Sequence, residues 1–375
     1  MVGGAARRRF GAGYSAAQRL ASRLRTAETP LIVGGRTMTD DALGRLALAR
    51  TAQSRVEELA TGAQALALLT LVHERGWTGF LAEPRGLDQL AAFSRLPVDR
   101  VANVVGALEA LGFVEQHDGQ VRLSPAYAEL SADDAMTDLG NVLDRAELMI
   151  RLVREAAEDE GDVRLGDAEA LTIAKVVGGR PTPVTQAVFQ HLYAEVPEYA
   201  DAVRDGRLLD VGCGVAGATL ASASMFPNMR AVAIELVPAV AAEAENRAKN
   251  LGVADRVEVR CMDARDFDER DAFDACFWAQ PFFPEPFRAG TLRMIWGALK
   301  PGALLMIQEM ESEPQDEAQR VPFALRRLVY EGQRVPFAPT AEQLVAEAEA
   351  AGLVPHRMVP TNFGRIVLMR RPEEG

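Results

Sequence analysis

The chain is poor in lysine, histidine and cysteine. Lys175, Lys249 and Lys300 are its only lysines, so positive charge falls on arginine; 41 basic residues face 53 acidic ones, for a net charge of −12. That balance excludes general binding to nucleic acid or to an acidic membrane surface. No apolar run approaches the roughly 20 residues needed to cross a bilayer; the longest, ALALLTLV from Ala65, suits a buried helix. Cys213, Cys261 and Cys276 stand at neither disulfide-framework nor zinc spacing, which predicts a reduced, cytoplasmic protein. The histidines are His73, His117, His191 and His356, and no His/Asp/Glu cluster has ligand spacing, so no metal is expected.

What is present suggests two domains with an extra helical segment, since 375 residues exceed one ordinary core. The basic opening MVGGAARRRFGAGYSAAQRLASRLR is read as a mobile arm over 1–36. Arg19, Arg23 and Arg25 break the apolar stretch that a twin-arginine export signal needs. Over 37–130, helical periodicity from Thr39 leads to a short helix (Leu87–Phe93), a turn and a longer helix (Val98–Leu111). Two strands (Phe113–Gln116, Val121–Leu123) follow, around Asp118-Gly119. Helix, turn, helix and hairpin make a winged helix. Its second helix, VDRVANVVGALEAL, carries Arg100 as its only cation, against Asp99 and Glu109. A DNA reader presents Arg, Lys, Asn or Gln to phosphates and bases, so a packing and dimerisation module is expected, without nucleic-acid binding. Residues 131–205 read as a helical linker and pocket cover, with a helix from Ser131 to about Glu158.

From residue 206 to 375 the texture changes to short apolar runs alternating with Ala-rich helices. The runs are RLLDVG, MRAVAIEL, RVEVRCMD, FDACFWAQ, GALLMIQEM, LVPHRMVPT and FGRIVLMRR. Alternation closing in an adjacent strand pair indicates an α/β, doubly wound sheet. The stretch RLLDVGCGVAG holds Gly212, Gly214 and Gly217, a Gly-x-Gly-x-x-Gly between a strand and a helix. Glu235 ends the next strand, about 20 residues on, where a carboxylate takes both hydroxyls of a ribose. Asp263 ends the third. Asp210, two residues before the first glycine, discriminates between ligands. Beside a pyrophosphate it meets a repulsion of about 1–4 kcal/mol, whereas S-adenosylmethionine has no phosphate and offers an ammonium and a sulfonium.

LLDVGCGVAG, the Glu235 of VAIE and CMDARDF resemble the ordered motifs of class I S-adenosylmethionine-dependent methyltransferases. The likeness covers Arg207 to Arg371, and LKPGALLMIQEM resembles the turn into that family's fifth strand. With the winged helix in front, the chain from Thr39 is similar to small-molecule O-methyltransferases with an N-terminal dimerisation domain. The resemblance implies a Rossmann-like domain with a seven-stranded sheet, last strand antiparallel. It also implies a homodimer through the N-terminal domain. Asp210 and Gly212–Gly214, with Cys213 between, would lie at the methionine end of the cofactor, near Gly217. Glu235 and Leu236 would lie at the ribose, and Met262, Asp263 and Ala264 beside the adenine, with Trp278 also at the cofactor.

One departure matters. Where many members carry a catalytic His-Asp pair, this chain reads FWAQPFFPEPF, without histidine. Candidate bases are then His191, Tyr193, Gln280 and Glu309, with Glu309 and Glu311 otherwise a solvated acidic loop. A methyl on sulfonium is already activated, so alignment of nucleophile, methyl and sulfur can suffice. Orientation supplies roughly 7–11 kcal/mol of barrier lowering. Phe282, Phe283 and Phe287, with Gln280, and Phe323 and Tyr330 further on predict an apolar pocket for a hydrophobic or aromatic small molecule, in specialised-metabolite biosynthesis by analogy. The alternatives are a ligand-sensing winged-helix regulator, a nicotinamide oxidoreductase, and a catalytically silent homologue supporting a partner enzyme.

Overall fold

The structure, a computed structural model, describes residues 32–33, 36–37, 40–158, 161–362 and 364–373. Apart from its two short strands, the arm expected over 1–36 lies outside the described residues. The chain divides into two units, Met1–Leu68 and Leu69–Gly375. In the first, β1 (Ile32–Val33) pairs antiparallel with β2 (Arg36–Thr37). Most of the helix Asp40–Glu74 also lies in this unit, and its Leu46, Leu48, Val56 and Leu59 are exposed.

In the second unit, helices Leu87–Ser94 and Val98–Ala110 fall within one residue of the predicted spans. Three short strands follow the pattern of turn and hairpin: β3 (Arg85–Gly86), β4 (Val114–His117) and β5 (Gln120–Leu123), in the order β3-β5-β4. Asp118 and Gly119 both take positive φ in the tight connection, as a two-residue hairpin turn demands.

The helix expected from Ser131 begins only at Leu139 and runs to Glu158. Asp138 explains the delay: its Oδ1 accepts from the N–H groups of Gly140 (2.9 Å) and Asn141 (3.3 Å), satisfying donors that open a helix. The polar run before it therefore stays outside. The Gly- and Asp-rich stretch that follows hides a further helix, Asp167–Val177. Two more, Pro183–Glu195 and Pro197–Arg204, precede the large sheet.

That sheet has seven strands: β6 (Arg207–Val211), β7 (Arg230–Glu235), β8 (Val257–Cys261), β9 (Phe273–Trp278), β10 (Leu299–Gln308), β11 (Val354–Thr361) and β12 (Gly364–Arg370). Their order is β11-β12-β10-β9-β6-β7-β8. β12 runs antiparallel to both its neighbours, β10 and β11. β6 to β10 pair in parallel. Parallel strands need crossover helices, here Gly217–Met225, Pro238–Asn250 and Glu285–Ala298. Helices on both faces bury both, so β6 reads as a near-continuous apolar run. One face packs Leu208, Ala233, Ala275 and Met306; the other packs Leu209, Val211, Trp278 and Ile307. Sequence order reverses between β6 and β9. The crevice outside their carboxyl ends is where such sheets take ligands.

Candidate active site

The crevice is built from the chain's own backbone. The N–H groups of Gly212 and Cys213 both donate to the carbonyl of Ile234, at 2.9 and 3.0 Å, and Ala279 N–H donates to Val211 O at 3.0 Å. The ends of β6, β7 and β9 are thereby tied together. Gly212 takes φ +76°, and a Cβ there would stand 2.6 Å from Phe283 Cε2. Gly217 is excluded from substitution by approach rather than by φ: its Cβ would stand 1.6 Å from the carbonyl oxygen of Gly178. The segment after the helix Asp167–Val177 therefore seats directly on the start of the helix Gly217–Met225.

Two carboxylates meet beneath this turn. Glu235 ends β7; its Oε2 accepts from Gly214 N–H (3.0 Å) and its Oε1 from Val237 N–H (2.9 Å). Burial raises its pKa, while these backbone bonds oppose the rise. Asp210 is registered between Ala233 on β7 and Phe277 on β9, and is 1 % exposed. Its Oδ2 accepts from the Thr219 hydroxyl at 2.5 Å. Its Oδ1 has no hydrogen-bond partner among the described residues. Burial pushes its pKa up to about 7, the Thr219 bond opposes that, and the Glu235 charge adds to it. The thiol of Cys213 is buried too and held well above its usual range. This arrangement presents negative charge and an open acceptor. A cation is what it lacks, and the ammonium and sulfonium of S-adenosylmethionine are cations. Glu235 oxygens retain lone pairs for two ribose hydroxyls, so the donor set fits that cofactor.

The remaining expected positions fall at different distances from this core. Met262 N–H donates to Glu235 O at 3.0 Å, Ala264 is buried, and Leu236 is 61 % exposed at the crevice edge. Asp263 accepts from Arg265, by its N–H (2.9 Å) and its guanidinium (2.6 Å), which lowers its pKa. The same guanidinium lies 4.1 Å above the Phe287 ring. Trp278 is fully buried in the core of the sheet face opposite Asp210, with Arg288 over its ring at 4.8 Å. That placement gives it a packing contact, with Phe283 edge-on at 5.6 Å.

The candidate bases are dispersed. His191 is exposed on its helix. Tyr193 is buried; its hydroxyl meets Ser222 Oγ at 2.6 Å, and burial raises its pKa to about 12. Gln280 is buried, and its Nε2 donates to Gln308 O at 3.3 Å. Glu309 departs from the solvated-loop reading: it is 6 % exposed. Arg365 donates to both its oxygens, at 2.6 and 2.9 Å, and Ala341 N–H to one of them at 3.2 Å. Glu311 pairs with Arg326.

The expected pocket rings form two groups. Phe283 lies on the glycine turn, while Phe282 and Phe287 are exposed. Phe323, Phe337 and Tyr330 pack edge to face at 4.9 and 5.4 Å. A bond from Glu285 N–H to Arg334 O, 3.1 Å, ties the segments bearing them. Sequence reasoning missed Thr219, although its place two residues after Gly217 was a usable signal. It also missed Arg265, two residues from its partner Asp263, and Arg288, whose partner Glu347 only the fold brings near. Among the described residues no group of three or more His, Cys, Asp or Glu could hold a metal ion, and no helix is long and apolar enough to cross a membrane.

Comparisons with known proteins bear on this geometry. Residues 208–302 match the family described as a methyltransferase domain. Curated protein sequences give no match. Among solved structures, the chain resembles an O-methyltransferase family protein from Burkholderia thailandensis, at 16 % identity and a TM-score of 0.68, covering 86 % of this chain and 98 % of that one. It also resembles human N-acetylserotonin methyltransferase in complex with S-adenosylmethionine, at 15 % identity and a TM-score of 0.63, covering 86 % and 98 %. A third is N,N-8-amino-8-demethyl-D-riboflavin dimethyltransferase from Streptomyces davawensis, at 19 % identity and a TM-score of 0.58, covering 86 % and 99 %. At such identities the likeness is one of fold, extending over nearly the whole of each solved chain. The match identifies residues 208–302 as a methyltransferase domain, and the chain around it shares the fold of these S-adenosylmethionine-dependent methyltransferase structures.

Proposed function

We propose that the chain moves a methyl group from S-adenosylmethionine to a medium-sized hydrophobic or aromatic small molecule, in specialised-metabolite biosynthesis, by proximity and orientation rather than through a histidine base. The observation that carries the cofactor side is the buried Asp210 with one open oxygen, beside a turn that Glu235 braces. When bound, the cofactor supplies a methyl already activated on sulfur. The chain then has to bind, orient and exclude water. Asp210 and Glu235 hold the cationic and ribose parts, Asp263 and Met262 border the adenine, and Phe283 lies over the turn.

The fate of the candidate bases supports the proximity reading. Tyr193 stays a phenol at neutral pH, Glu309 is saturated by Arg365 and Ala341, and Gln280 does not titrate. An acceptor that arrives as a neutral amine, enolate or activated carbon requires no strong base. Two of the similar structures are named for aromatic acceptors, N-acetylserotonin and a riboflavin derivative, which supports the substrate class. The exposed leucines of Asp40–Glu74 support a homodimer through a winged-helix N-terminal domain, since a helix that leaves several large apolar side chains in water favours a partner. Three free thiols favour a reducing cytoplasm.

Calorimetry with S-adenosylhomocysteine and with NADH tests the cofactor side: the first should bind and the second should not, and the reverse would overturn the reading. A panel of aromatic amines and phenols with labelled S-adenosylmethionine tests the acceptor class. Cofactor binding with no turnover on any would assign the chain a supporting role beside another enzyme.

A further inference from the structure

Thr219 is 2 % exposed, on the first turn of the helix Gly217–Met225. Its hydroxyl has one carboxylate within reach, Asp210 Oδ2 at 2.5 Å. A buried carboxylate lacking this donor would lose its only hydrogen bond among the described residues and could turn about its terminal torsion, which is broad for an aspartate. β-Branching leaves Thr219 few rotamers at χ1 within a helix, so the donor has little freedom to leave Asp210. With Oδ2 engaged, Oδ1 is the buried oxygen left without a partner among the described residues.

The surroundings make this donor decisive. The titratable groups that interact with Asp210 are Glu235 on β7, Cys213 in the turn, Cys276 on β9, and Tyr193 and Tyr199 on the two helices before β6. All are acids, and none supplies a positive charge. Ser222, one turn beyond Thr219, is taken by Tyr193 and by the Ala218 carbonyl. Thr219 is thus the one side-chain donor to Asp210 among the described residues.

We propose that Thr219 is a positioning residue for cofactor capture: its hydroxyl orients Asp210, leaving Oδ1 to the cationic methionine end of S-adenosylmethionine. The proposal rests on the cofactor reading above.

The test is S-adenosylhomocysteine binding by calorimetry between pH 6 and 8.5, for the unmutated chain, Thr219→Val, Thr219→Ala and Thr219→Ser. The alanine variant cannot overpack, so a folding failure of the valine variant leaves a usable protein. The unmutated chain should bind more tightly as pH rises through about 7, where Asp210 ionises. Thr219→Val and Thr219→Ala should bind about tenfold more weakly at pH 7, the lower bound for a hydrogen bond to a charged group. Their affinity midpoint should also lie at higher pH. Thr219→Ser should keep both affinity and midpoint. In an Asp210→Asn background, Thr219→Val should change affinity less than about threefold. Unchanged affinity and midpoint in both hydroxyl-less variants would overturn the proposal alone. So would an equal loss in the Asp210→Asn background. No binding by the unmutated chain would remove the cofactor reading, and this proposal with it.

Discussion

Two acidic side chains at the carboxyl edge of the same sheet have opposite surroundings. Glu309, after β10, receives Arg365 on both oxygens and a helix N–H besides. Asp210, near the end of β6, receives one hydroxyl and has an oxygen without a partner among the described residues. Both are nearly inaccessible to water. A buried charge is tolerated when paired, so Glu309 is complete within the fold. Asp210 is complete only when something else brings the positive charge. Burial alone does not mark a functional acid; burial without a cation does.

Four substitutions break or sharpen that contrast, taken from the largest effect to the smallest. Arg365→Ala leaves Glu309 buried and unpaired, a change that costs about 3–5 kcal/mol. The melting temperature should fall steeply while S-adenosylhomocysteine affinity in the folded protein stays within twofold. An affinity loss as large as the stability loss would make Glu309 part of the binding site.

Asp210→Asn should do the reverse. In the folded chain Asp210 keeps its proton up to about pH 7, against an ordinary 3.8 when unfolded. Its contribution to stability is therefore full below about 3.8 and is lost as pH rises through about 7. Without ligand, the asparagine variant should be more stable than the unmutated chain at pH 8, by roughly 4 kcal/mol. That advantage should shrink towards pH 4, and cofactor affinity should drop. Equal melting curves at pH 8 would place Asp210 in a better-compensated site than the one described.

Glu235→Ala should weaken S-adenosylhomocysteine binding by about 1.5–3 kcal/mol; unchanged affinity would remove Glu235 from the ribose. His191→Ala, on an exposed helix position, should leave methyl transfer within the roughly 0.5 kcal/mol expected of a surface change. A larger rate loss with unchanged cofactor affinity would restore His191 as a base.

The asymmetry between these acids also explains what a reader of the chain could foresee. The Asp210 neighbourhood is built from contiguous or nearly contiguous residues: a strand, a glycine turn, a helix start. All seven strands of the sheet were legible from the same short-range pattern. Even Thr219 lay within reach, nine residues from its partner. Glu309 was not legible. Its partner stands 56 residues away on β12, and nothing in EMESEPQDE separates the one interior acid from its solvated neighbours. Trp278 failed similarly, since a strand's alternation sends it into the core of the sheet face opposite Asp210, where it packs with Phe283. The late start of the helix at Leu139 turned on a single capping carboxylate, Asp138.

The contact between Gly178 and Gly217 carries a practical lesson for recombination. A carbonyl that would overlap any added methyl, with Val215 against Gly178 and Ala174 against Gly214, makes residues 174–179 and 214–217 mating surfaces shaped to one another. Chimeras that exchange acceptor preference between such enzymes should splice these two stretches as a single cassette. A crossover placed between them would join an arbitrary loop to a helix start that admits no side chain.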